Sequence, residues 1–176
     1  MRHLHRLDSQ AERRSNSRGY PAGPQKRLAR RWAGMGYNDA AREGVKLLRV
    51  YIDSSVVGGC RDIQFEDDSL RLMGWARQRE LMLVIGEVTL RELEAAPSEV
   101  KGILSGLLPN CLEFVPLTTE ILTLRDAYVR AGVVGPQWLN DAAHVATATV
   151  AQADAIASWN FKHIVRLERI KGYKGI

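Results

Sequence analysis

Cysteine is scarce in this chain: Cys60 and Cys111 are the only two among 176 residues. Neither belongs to a CxxC pair or has a His nearby, so no disulfide framework and no zinc ribbon is encoded. They read as buried thiols of a reducing compartment. Long apolar runs are missing too. No stretch of 18 apolar residues occurs, so no membrane-spanning helix and no membrane partner are expected. The Arg and His residues at the start are not followed by an apolar segment, so no secretory signal is expected. The expected location is cytoplasmic. Internal repeats are lacking, and no low-complexity tract follows residue 46.

Charge is present but unevenly spread. The formal net charge is +5, yet residues 1–50 hold 12 Lys and Arg against 4 Asp and Glu, leaving 13 basic and 16 acidic residues for the rest. Residues 1–46 mix this basic charge with Ser, Gln, Gly and Pro. Such a composition buries too little apolar surface to offset the entropy of ordering it. A disordered N-terminal extension is expected there. The sharper alternative is an electrostatic hold on nucleic-acid phosphates. An organellar transit peptide fits the Arg and Ser content but is weakened by the acids and prolines.

From residue 47 the character changes, and 47–176 is expected to fold as one domain. Residues 46–52 (KLLRVYI) read as a first strand ending at Asp53, and 65–80 as a helix with apolar residues at helical spacing. Leu81–Ile85 is a continuous apolar run, as expected of a strand covered on both faces. Helices are predicted over 87–96, 98–108 and 118–131, with a third strand at 112–116. Residues 138–153 predict a buried helix, apolar on most sides. A fourth strand follows at 155–158, and the basic tail from Phe161 is expected to be irregular. Strands alternating with helices predict an α/β fold with a parallel sheet, whose ligands bind beyond the carboxyl ends of the strands where strand order switches.

Four segments place polar groups at such positions: Asp53-Ser54-Ser55, Thr89-Leu90-Arg91-Glu92, Asn140-Asp141-Ala142-Ala143 and Ser158-Trp159-Asn160. Three bring a carboxylate, and carboxylates gathered together need a cation; magnesium or manganese suits oxygen donors. Each residue alone has a plainer reading. Asp53 reads also as a helix cap, and Glu92 as the far end of a capping box opened by Thr89. Asp141 reads also as a charge at a helix start. His144 is expected to be packed and hydrogen-bonded rather than a zinc ligand. Trp159 reads as core in preference to a base-stacking surface, Asp154 as a turn into the last strand, and His163 as a substrate contact or a strand-end cap. Arg166, Arg169, Lys171 and Lys174 read as a solvated tail or as phosphate contacts.

Taken in order, these segments resemble the PIN domain family, the ribonuclease fold of many toxin–antitoxin toxins. Tyr51-Ile52-Asp53-Ser54-Ser55 resembles its opening motif, Thr89–Leu93 the second, Asn140–Ala146 the third and Ser158–His163 the fourth. The resemblance implies a PIN-like three-layer α/β/α fold with a small parallel sheet, and a Mg2+- or Mn2+-dependent endoribonuclease acting on RNA. It implies Asp53, Glu92 and Asp141 as metal-binding acids and catalytic residues. Asn160 stands where the family often has a fourth acid, and is carried over as a catalytic group able to orient a water or a phosphate oxygen. Ser54, Ser158 and His163 are carried over as substrate-binding residues. An antitoxin protein and a second copy of the chain are the implied partners. The alternative is a catalytically weakened PIN-like module that binds RNA or protein.

Overall fold

Residues 46–107 and 109–176 are described in the computed structural model; the basic segment 1–45 lies outside them. Among these residues, four strands form one parallel sheet: β1 (Leu48–Ile52), β2 (Leu81–Gly86), β3 (Leu112–Val115) and β4 (Ala155–Ala157). Their order is β3-β2-β1-β4. Every pairing is parallel, with Val50 opposite Leu83 and Ala155, and Leu83 opposite Leu112. The chain thus winds outward from β1 through β2 to β3, then returns to the other side of β1. The switch point lies between β1 and β4.

Among the described residues, seven helices connect and cover the strands: α1 (Ser54–Gly59), α2 (Glu66–Arg77), α3 (Glu87–Leu93), α4 (Ser98–Ser105), α5 (Thr119–Arg130), α6 (Leu139–Val150) and α7 (Leu167–Lys174). The sheet has a core on each face, because successive side chains of a strand point oppositely. Val50, Ile52, Leu83 and Ile85 pack with Val56, Val57, Met73 and Leu93 on one side. Tyr51 and Val84 face the other way and meet Ala148 of α6. Beyond them, Ile121 and Tyr128 of α5 pack with Ala142, Val145 and Ala146 of α6. β2 is buried along its whole length, which accounts for its unbroken apolar sequence. The result is a three-layer α/β/α arrangement. None of the described helices is long and apolar enough to cross a membrane.

α6 carries the candidate residues Asn140, Asp141 and His144. Residues 142–148 are all buried, and their small side chains let this helix lie close to α5 and the sheet. Thr147 and Thr149 are tolerated there because each hydroxyl donates back to the carbonyl four residues earlier, at 2.7 and 2.9 Å.

Two local expectations are corrected. The strand expected from Lys46 begins at Leu48, while Lys46 pairs with Asp154 at 2.8 Å where the chain enters β4. The tail expected to be irregular contains α7, anchored by Tyr173, whose ring meets Tyr128 edge-on at 4.8 Å. Glycine is needed within it. A Cβ at Gly172 would stand 2.9 Å from Val133 Cγ1, so only glycine lets α7 approach so closely.

Candidate functional site

Asp53 leaves β1 at the switch point and caps α1. Its Oδ1 accepts from the Ser55 and Val56 amides at 3.1 and 3.3 Å and from Ser55 Oγ at 2.5 Å. Its Oδ2 accepts from Ser158 Oγ, at the end of β4, at 2.7 Å. The capping reading and the site reading therefore hold together: one oxygen starts a helix and the other joins β1 to β4. The carboxylate is 3% exposed.

Ser158 carries the connection onward. Its Oγ accepts from the Asn160 amide at 2.9 Å, and Asn160 Nδ2 donates to Asp141 Oδ1 at 2.5 Å. Asp53, Ser158, Asn160 and Asp141 thus form one chain of contacts from β1 through the β4 end to the first turn of α6. Burial pushes the Asp141 carboxyl above its ordinary range. The imidazoles of His163 and His144 act against this shift, while the charges of Glu92 and Asp53 add to it. Like charges are close enough to resist a third ionised group.

Glu92 comes from α3. The capping-box reading fails, because Gly86 is the N-cap and Thr89 lies inside the helix, its hydroxyl donating to Ile52 O at 3.3 Å. Glu92 instead reaches forward. Oε2 accepts from Ser54 Oγ at 2.5 Å and His144 Nε2 at 3.0 Å, and Oε1 accepts from Asn140 Nδ2 at 3.1 Å. Burial opposes its ionisation, but the hydrogen bonds and charge of His144, with Ser54 and Asn140, outweigh burial and hold the carboxyl below its usual range. His144 is packed and hydrogen-bonded, as its apolar setting suggests, and its Nδ1 lies 2.8 Å from Tyr51 Oη.

All four segments therefore meet at the switch point. Ser55, Asn140, His144 and Tyr51 join the expected residues. Ser55 Oγ receives the Trp159 amide at 2.9 Å, so both serines after Asp53 are engaged. Tyr51 and Asn140 border the motif aspartates, and that proximity was the available signal for them.

His163 joins this network through its backbone and not through a side-chain hydrogen bond. Its side chain is buried against Trp138, ring centroids 3.7 Å apart, and among the described residues neither ring nitrogen has a hydrogen-bond partner. Its backbone amide caps Asn160 Oδ1 at 3.0 Å. Trp159 is core, stacked on Phe65 at 4.9 Å with Nε1 donating to Ser69 Oγ at 2.9 Å.

The donor set matches magnesium or manganese in kind: three carboxylates, one of them pushed towards its neutral form by burial, with the charges of the other two adding to it. Among the described residues, no three His, Cys, Asp or Glu side chains form a ready metal cluster. The chain matches no protein-family model, no curated protein and no solved structure.

Proposed function

We propose that this chain is a metal-dependent endoribonuclease of the PIN type, hydrolysing RNA phosphodiester bonds. The observation that carries the reading is the Asp53–Ser158–Asn160–Asp141 chain of contacts, with Glu92 joined to the same centre through Ser54 and Asn140. Structural caps need no such convergence of three acids from three separate helices.

Bound Mg2+ or Mn2+ would neutralise charge on a phosphoryl oxygen and lower the pKa of a coordinated water. Asp53 and Asp141 supply oxygen donors for the cation. Glu92, held below its usual pKa range by its donors, would add a further oxygen donor for the cation or align the attacking water. Asn160 steadies Asp141 and offers an amide to a phosphate oxygen. Attack by water leaves a 5′-phosphate and a 3′-hydroxyl. A toxin-type role, with an antitoxin peptide laid over the cleft and a homodimer in the cytoplasm, belongs to the same reading.

The rival is a binding module. It is favoured by Asn160, which donates to Asp141 where a fourth acid would add charge. Incubation of the protein with a structured RNA in Mn2+, Mg2+ or EDTA separates the two. Cleavage that needs metal, Asp53 and Asp141 supports the nuclease. RNA binding indifferent to chelator, without cleavage, establishes the module.

A further inference from the structure

Behind Glu92 lies a buried pair that the proposed chemistry does not use. His144, on α6, is 2% exposed, and Tyr51, on β1, is 0% exposed. A carboxylate only accepts, so His144 Nε2 donates across 3.0 Å to Glu92 Oε2. Thr89 Oγ1 already donates to Ile52 O and lies 3.5 Å from Tyr51 Oη, whereas His144 Nδ1 lies at 2.8 Å. The imidazole is therefore held between the Tyr51 hydroxyl on one side and Glu92 on the other.

Sequence and space agree on this. A Cβ at Gly86 would stand 2.8 Å from Tyr51 Oη, so the glycine ending β2 makes room for the hydroxyl. The same Glu92 oxygen receives Ser54 Oγ at 2.5 Å. With two donors Oε2 is saturated. Among the described residues, Oε1 accepts only from the exposed amide of Asn140.

We infer that Tyr51 and His144 are positioning residues that, with Ser54, lock Glu92 so that Oε1 alone faces the acidic centre, Asn140 being the partner that an incoming cation displaces. A glutamate left free would turn both oxygens to a cation or swing away. The role of Oε1 rests on the metal-dependent reading proposed above; the contacts behind Glu92 do not.

Two measurements on the full chain test this. Side-chain 15N–1H NMR of the metal-free protein should show a His144 Nε2 hydrogen protected in its contact with Glu92, and Tyr51→Phe should move the His144 ring signals. Ring signals unmoved by Tyr51→Phe overturn the arrangement. Mn2+ binding followed by EPR should weaken about 10-fold in Tyr51→Phe and in His144→Ala, the lower end of what loss of a ligand's supporting partner does. His144→Gln, which keeps a donor toward Glu92, should recover most of the affinity. Asn140→Ala should bind Mn2+ at least as well as the wild type, and a several-fold loss there contradicts the displacement. Wild-type affinity in both Tyr51→Phe and His144→Ala overturns the positioning role. A wild-type protein that binds no Mn2+ defeats the metal-dependent reading and the Oε1 role with it, while the NMR result still decides the Tyr51–His144 arrangement.

Discussion

Asn160 Nδ2 donates to Asp141 Oδ1 at 2.5 Å, while Asn160 Oδ1 accepts the His163 amide at 3.0 Å. One amide thus supplies a donor to an acid and an acceptor to the following turn. A carboxylate could serve only the second. Asn160→Asp should therefore destabilise the metal-free protein by about 1–3 kcal/mol, the cost of leaving a partly buried acceptor facing another. Added Mn2+ should offset part of that loss. Denaturant melts with and without Mn2+ check it, and a metal-free variant as stable as the wild type would show that the contact contributes nothing.

Asp141 and Glu92 should respond oppositely to pH. The Asp141 carboxyl is raised, so the folded state binds its proton more tightly than the unfolded state. That favours folding at low pH and is lost as pH rises through the raised value. Asp141→Asn should then be more stable than the metal-free wild type at pH 7, with the gain vanishing in acid. Glu92 is lowered, so its contribution is present above its unfolded pKa and lost as pH falls through the folded one. Glu92→Gln should lose about 1.5–3 kcal/mol at pH 7, the scale of hydrogen bonds to a charged group, and little in acid. Melts of both variants at pH 7 and at acid pH would reveal the crossing, and parallel curves would refute it.

Metal should stabilise the fold itself. At about 100 times its dissociation constant, a ligand specific to the folded state adds roughly 2.7 kcal/mol. Mn2+ should raise the wild-type melting temperature, and Asp53→Asn should abolish the rise. Asp53→Ala should in addition lose about 1 kcal/mol through the missing α1 cap, with or without metal. A Mn2+ shift that survives Asp53→Asn would move the cation elsewhere.

His163 offers a separation of stability from function. Its ring nitrogens are buried without partners among the described residues. His163→Phe keeps the ring against Trp138 and should stabilise the protein by about 1 kcal/mol by removing unsatisfied polar atoms. RNA affinity should fall in the same variant where the imidazole reaches substrate; anisotropy titration measures it, and unchanged affinity would make His163 a packing residue alone.

The sheet and its switch point were legible because β2 is an unbroken apolar run and β1 ends in an aspartate before two serines. Both features follow from local chemistry. α7 was not legible: Tyr173 anchors it through a contact with Tyr128, distant in sequence, and its remaining residues are mostly charged. Glu92 misled for a related reason. Thr89-Leu90-Arg91-Glu92 satisfies a capping box locally, but Ile52 and His144, brought up by the sheet and α6, take the Thr89 and Glu92 side chains instead. The pairing of Asn160 with Asp141 depends on β4 lying beside β1, which residue spacing does not state.

That placement of β4 also has a consequence in time. A chain emerges from the ribosome from its N-terminus, and β4 is the last of the described strands, yet it borders β1. Asp53, Ser54 and Glu92 are made before Asp141, Ser158 and Asn160. The contacts that run from Asp53 through Ser158 and Asn160 to Asp141 can therefore form only once β4 has been made and docks beside β1.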